Sequence, residues 1–167
     1  DIAEWLLKYR NHGMLDRNHI TFWGVNCRLQ PVQAIVGSRL LDTMEELVES
    51  RIRNARLLDK GLKNLEEFIT IPRRPEGYRE VYQLYQVCVQ RREELISYLE
   101  ERGIEPKVHY PIPLHLQEAA KELGHKLGDF PVSEKQADEI LTLPAHQHVT
   151  PEQIEYTIKA IRSFYLS

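Results

Sequence analysis

Asn26 and Arg28 stand two residues apart in the stretch Gly24-Val25-Asn26-Cys27-Arg28-Leu29-Gln30-Pro31. In an extended segment side chains alternate faces with a period of two, so an amide and a guanidinium fall on the same side. Such a pair can grip one phosphate group. A helix starting near Pro31 would add unpaired N–H groups and positive potential close by. Each charge-assisted hydrogen bond to an anion is worth roughly 1.5–3 kcal/mol. A second reading of the same spacing makes Asn26 a turn cap and Arg28 a solvated charge, since an isolated Asn-x-Arg pair is a weak motif.

Composition narrows the classes of function. The 167 residues are 42% hydrophobic and 28% charged, an ordinary globular balance, with material for a packed core. A formal net charge of −3, with both signs mixed along the chain, gives no basic stripe, so nucleic acid is not expected as a partner. No apolar run nears the roughly 20 residues that span a bilayer, and the first residues lack the pattern of a secretory leader. No membrane association and a cytoplasmic location are therefore expected. Cys27 and Cys88 lie far apart without Cys-x-x-Cys spacing and read as free thiols. His146-x-His148 could place two imidazoles on one side of a strand, but no cysteine or patterned carboxylate joins them, and no metal site is assigned.

The elements that would position these groups follow from periodicity. Ile2, Trp5, Leu6 and Tyr9 recur at helical spacing, as in the last turns of an element. From Pro31 to about Leu65, apolar residues recur at three- and four-residue steps and predict two successive helices. Phe68–Ile71 reads as a short strand ended by Pro72, and Val81–Val89 as a longer, central one. Arg91–Arg102 is helical again, with Gly103 at the position of a left-handed C-cap. Pro106–Tyr110 predicts a strand, Leu114–Leu123 a short helix, Ser133 the start of another with Gln136 reaching back, and Leu141–Leu143 a strand. Thr150-Pro151-Glu152-Gln153 is the clearest helix start, followed by the stripe Ile154, Ile158, Ile161 and Phe164. This order predicts an α+β fold, with helices covering a small, mostly antiparallel sheet. A division near Leu65 is expected, with 1–65 holding the long helices and 66–167 the sheet.

Longer blocks carry a resemblance. Arg10-Asn11-His12-Gly13, Trp23-Gly24-Val25-Asn26-Cys27-Arg28-Leu29 and Gln33-Ala34 come first. Val108-His109-Tyr110-Pro111-Ile112-Pro113-Leu114-His115, Gly128-Asp129-Phe130-Pro131-Val132-Ser133-Glu134 and Leu141-Thr142-Leu143-Pro144-Ala145-His146 follow. In order and spacing they resemble the DegT/DnrJ/EryC1/StrS family of pyridoxal-phosphate sugar aminotransferases, from about Arg10 to Phe164. The resemblance implies the C-terminal part of a fold-type-I enzyme, a homodimer in which two subunits build each active site. It implies amino transfer, with glutamate as donor, to a nucleotide-linked keto-sugar or a related cyclic ketone.

By the same resemblance Asn26 reaches across the dimer to the phosphate of the neighbour's pyridoxal phosphate. Arg28 supports that anionic pocket or touches a substrate phosphate. His109 and Tyr110 lie near the mouth where the sugar nucleotide binds; ending a strand with local hydrogen bonds is their alternative role. Cys27 sits at a variable position, and Arg39 stands where Gln is common. The family's Schiff-base lysine precedes the stretch matched here, so no catalytic residue is assigned in this chain. Lys8 is too close to Arg10-Asn11-His12-Gly13, and Lys60, Lys63 and Lys121 fall on polar helical faces. The 167 residues by themselves are accordingly expected to be inactive. A non-catalytic regulatory or sensory domain of the same fold is the main alternative, and a plain structural domain is a further one.

Overall fold

The computed structural model describes residues 1–167 and divides into two compact units, Asp1–Glu45 and Glu46–Ser167.

The first unit is built from α1 (Ile2–Tyr9), an irregular hairpin and α2 (Pro31–Leu41). The hairpin holds because two glycines let backbone approach backbone. Gly13 has φ +70°, and a Cβ there would lie 1.7 Å from the carbonyl oxygen of Phe22; a Cβ on Gly24 would meet the Tyr9 oxygen at 2.4 Å. Val25 N–H donates to Tyr9 O at 2.8 Å, and Thr21 N–H to Gly13 O at 2.9 Å. Trp5 stacks between Tyr9 and Phe22, with ring centroids 4.8 and 5.4 Å away. Pro31 takes the first position of α2, and Gln33 Oε1 accepts the Gln30 N–H at 2.9 Å. Of residues 1–45 only Gly13 is buried; the apolar positions of α2, including Val32, Ile35, Val36 and Leu40, are exposed.

The second unit follows α3 (Met44–Leu62) from Glu46 onward. Its stripe of Ile52, Ala55, Leu58 and Leu62 is buried in the same core as the strands, which makes this helix part of the sheet's packing. Strand β1 (Ile69–Thr70) pairs antiparallel with β2 (Tyr85–Val89). Next come α4 (Arg92–Glu100) and α5 (Pro131–Glu139), then β3 (Ile140–Leu143), which pairs antiparallel with β2 in the register Tyr85↔Leu143 and Val87↔Leu141. The chain ends in α6 (Pro151–Leu166). Strand β2 is central, as expected, and every pairing is antiparallel. Tyr85, Val87 and Val89 point into the core while Gln86 and Cys88 are half-buried on the other face. The core side is completed by Leu95, Leu99, Ile154 and Ile161, all essentially inaccessible, with α4 packed on α6.

Start and stop signals explain most boundaries. Gly103 adopts φ +71° just beyond α4. At α6 the Thr150 hydroxyl accepts the Gln153 N–H at 3.3 Å and Gln153 Oε1 accepts the Thr150 N–H at 2.9 Å, the reciprocal cap read from sequence. Thr150→Ala is expected to lower unfolding free energy by roughly 0.5–2 kcal/mol, measurable as a shifted denaturant midpoint.

Four boundaries differ from expectation. The central strand begins at Tyr85 and not at Val81, because Tyr82 is left-handed (φ +50°) and the Arg51 guanidinium takes the carbonyls of Tyr82 and Gln83 at 3.1 and 3.3 Å. Pro106–Tyr110 forms only an isolated bridge, Lys107↔Thr142; Pro106 and Pro111 have no N–H with which to extend a ladder. Leu114–Leu123 is two 3₁₀ segments, parted by the extended Gln117. The helix placed at Ser133 starts at Pro131, where the Glu134 carboxylate accepts the Phe130 N–H at 3.2 Å in place of a Ser133 cap.

Candidate functional site

In the first unit Asn11 and Asn26 face each other in an antiparallel bridge. The flanking bonds are Cys27 N–H to Arg10 O at 2.9 Å and His12 N–H to Val25 O at 3.0 Å. That is the non-hydrogen-bonded kind of pair, in which opposite side chains come closest. Arg28, two residues on, donates to Asn11 Oδ1. The Asn26 and Arg28 side chains are both exposed. Asn11 thus organises the pair from the opposite strand, a role the sequence did not reveal, although Arg10-Asn11-His12-Gly13 was one of the blocks carrying the resemblance. The donor chemistry fits a phosphate: one neutral amide and one permanently charged fork, with no carboxylate hydrogen-bonded to either. Trp23, close by in sequence, is 90% exposed.

In the second unit His109 is fixed by the open face of the sheet. Its Nδ1 lies 3.0 Å from Thr142 Oγ1 on β3, and its carbonyl accepts from Gln86 Nε2 on β2 at 3.1 Å. Both partners lie on the face away from the core, so the period-two alternation of β2 delivers Gln86 to this position. Tyr110 is 73% exposed, and its ring meets His109 edge-on at 5.5 Å. The peptide joining them is cis. His109 lines two neighbouring cavities, of about 670 and 420 Å³. The larger also touches Lys107, His146, His148 and Tyr156; the smaller runs from Tyr110 and Ile112 to Ser133 and Gln136. Gln86 and Thr142 were not singled out from sequence, where they read as strand residues only.

Two further polar clusters hold this unit together. Tyr85 Oη donates to Asp59 Oδ1 at 2.8 Å, and Arg74 reaches the same carboxylate at 3.3 Å while lying over the rings of Tyr82 and Tyr85. Burial, with the Asp59 charge beside it, pushes the Tyr85 hydroxyl up, so it remains a donor. The second cluster centres on Glu134, whose carboxylate accepts N–H bonds from Gly128 at 2.9 Å and Phe130 at 3.2 Å and lies 2.9 Å from His115 Nε2. Burial pushes the Glu134 carboxyl up, but the Phe130 and Gly128 N–H groups and the His115 ring outweigh it, holding it below the usual carboxylate range.

His146 and His148 have ring centroids 5.9 Å apart, and no group of three metal-ligating side chains gathers anywhere. Cys27 and Cys88 are free thiols. No helix is long and apolar enough to cross a membrane.

Comparison with known proteins shows the family. The model of the DegT/DnrJ/EryC1/StrS aminotransferase family matches residues 1–162. A pleiotropic regulatory protein of Geobacillus stearothermophilus is 33% identical over 99% of this chain and 45% of its own length. A dTDP-3-amino-3,6-dideoxy-alpha-D-galactopyranose transaminase of Aneurinibacillus thermoaerophilus is 32% identical over 98% of the chain and 44% of its own. Among solved structures, S. venezuelae DesV superposes with a TM-score of 0.91 at 32% identity, covering 98% of this chain and 44% of that one. The chain therefore spans less than half the length of the relatives it matches. Its helices and small antiparallel sheet are those of the C-terminal part of a fold-type-I aminotransferase, as the motifs implied. On this match the chain belongs to the DegT/DnrJ/EryC1/StrS aminotransferase family.

Proposed function

We propose that this chain forms the C-terminal part of a pyridoxal-phosphate-dependent aminotransferase acting on a nucleotide-linked keto-sugar or related cyclic ketone, with glutamate as amino donor. The observation that carries the reading is the exposed Asn26 and Arg28 pair, organised by Asn11, an arrangement suited to a phosphate. Pyridoxal phosphate, when bound, supplies the electron sink for moving an amino group between carbon skeletons. The residues of this chain bind and orient. The Asn26 amide donates an N–H to a phosphate oxygen of the cofactor held by the neighbouring subunit. Arg28, steadied at one nitrogen by Asn11, offers its remaining N–H groups to the same pocket or to a substrate phosphate. His109, held by Thr142 and Gln86, and Tyr110 shape the mouth for the sugar nucleotide.

The exposed apolar positions of the Asp1–Glu45 unit, among them Val32, Ile35, Val36 and Leu40, call for cover from the rest of the protein or from a second subunit, and the homodimer reading assigns part of that cover to a second subunit. The family's Schiff-base lysine precedes the stretch that the motifs match, so on this reading that lysine is assigned to the rest of the protein. The chain by itself is then inactive. The substrate class draws support from relatives described as dTDP-sugar transaminases. A cytoplasmic location belongs to the same reading.

One relative is described as a pleiotropic regulatory protein, which favours a second reading as a non-catalytic regulatory domain. The two are separated by supplying the whole protein with pyridoxal phosphate, glutamate and a panel of dTDP- and UDP-linked keto-sugars, and measuring 2-oxoglutarate release. Acceptor-dependent release is expected. Cofactor binding without turnover on any acceptor would favour the regulatory reading, and no cofactor binding at all would sink the enzyme reading.

A further inference from the structure

The segment Tyr110–Gln117 presents Tyr110, Ile112 and Leu114 largely to solvent, at 73%, 50% and 84% exposure. Its only regular structure is the 3₁₀ turn Leu114–Leu116. A stretch with few backbone hydrogen bonds and exposed apolar side chains opens easily unless side chains pin it. One end is pinned at His109 by Gln86 and Thr142. The other end is pinned by His115, whose side chain is 8% exposed and lies 2.9 Å from Glu134, itself 14% exposed. Glu134 is doubly useful as an anchor. In the first turn of α5 it gathers the N–H groups of Gly128 and Phe130, so His115 is tied at once to a rigid helix and to the Gly128–Phe130 turn. The Phe130 ring closes over His115 at 4.7 Å, and Gln117 Nε2 donates to Ile112 O at 3.3 Å across the segment. The 420 Å³ cavity lies between this segment and α5, with Tyr110, Ile112 and Leu114 on one wall and Ser133 and Gln136 on the other.

We infer that His115 and Glu134 are a positioning pair which fixes the Tyr110–Gln117 segment over this cavity and thereby sets the affinity for the amino-acceptor substrate. The inference rests on the aminotransferase reading and on Tyr110 lying at the substrate mouth. Neither residue need touch substrate; each acts by holding in place the wall that does. A wall that serves only the acceptor leaves the exchange with glutamate alone. That asymmetry separates positioning from general structural support.

The test uses the whole protein with its cofactor and the variants His115→Ala, Glu134→Ala and Glu134→Gln. Expected is a KM for the keto-sugar nucleotide raised roughly ten- to hundredfold in His115→Ala and Glu134→Ala, with kcat and the KM for glutamate changed less than about threefold. Glu134→Gln keeps an oxygen for the Gly128 and Phe130 N–H groups and for His115, and should restore the acceptor KM to within about threefold of wild type. Should Glu134→Ala fail to fold, His115→Ala and Glu134→Gln still decide the matter. Equal loss in both half-reactions, or an unchanged acceptor KM in His115→Ala, would overturn the inference while leaving the aminotransferase reading intact. A wild-type protein without transaminase activity would instead overturn the reading on which it rests.

Discussion

Replacing Gly13 by alanine is expected to dismantle the hairpin that presents Asn26. The residue has φ +70°, where a side chain costs about 1–2 kcal/mol before any contact is counted. The contact is the larger problem. The new Cβ would lie 1.7 Å from Phe22 O and 2.8 Å from Phe22 C, both backbone atoms, so no side-chain rotation relieves it. The segment bearing Phe22 must move. Gly13 also gives its N–H to Lys8 O at 2.8 Å and accepts from Thr21 through both N–H, at 2.9 Å, and hydroxyl, at 3.1 Å, so the displacement breaks the ties between α1 and the returning strand. With them goes the face-to-face placement of Asn11 and Asn26. In the whole protein Gly13→Ala should lower the melting temperature and shed most of the bound pyridoxal phosphate during gel filtration, read from the cofactor's absorbance. Wild-type cofactor content in a protein of wild-type stability would contradict the close approach of Gly13 to Phe22.

Asn26→Ala should be the more selective lesion. The side chain is exposed and the strand pairing is made by backbone atoms, so folding stability should change little, as is usual for surface substitutions. Cofactor affinity should fall. Loss of one charge-assisted hydrogen bond worth roughly 1.5–3 kcal/mol corresponds to a Kd raised roughly ten- to hundredfold. Arg28→Ala should weaken the same binding and make what remains less sensitive to salt, because the guanidinium carries the charge. Equilibrium dialysis against pyridoxal phosphate at two ionic strengths measures both effects.

The sequence showed the fold well where local chemistry and tertiary packing agree. Thr150-Pro151-Glu152-Gln153 contains its whole cap within four residues, and α6 starts where it was expected. The central strand was legible in type but not in extent, because Arg51, more than thirty residues away, takes the carbonyls that would have extended its ladder. Pro131 and Glu134 likewise outcompeted Ser133 for the start of α5, through a carboxylate that reaches back to Phe130 and Gly128. At the site, the period of two placed Asn26 and Arg28 on a common side, yet nothing local pointed to Asn11, since its pairing depends on a hairpin closed by Gly13 and Gly24. Gln86 and Thr142 escaped for a similar reason. Their role exists only once two strands lie in register and the His109 segment is bridged to Thr142 through Lys107.

The central proposal is that Asn26 serves the cofactor of the other subunit, and mixing subunits tests it most directly. Whole-protein Asn26→Ala is co-refolded with a second variant lacking the Schiff-base lysine, each defective when alone. If Asn26 acts across the dimer, a mixed dimer carries both lesions in one site and none in the other, so random pairing should restore about a quarter of wild-type sites. Recovery near that level, with cofactor affinity at wild-type strength in the restored sites, is the predicted result. Activity no higher than the sum of the two separate variants, from dimers shown to have exchanged subunits, would contradict it.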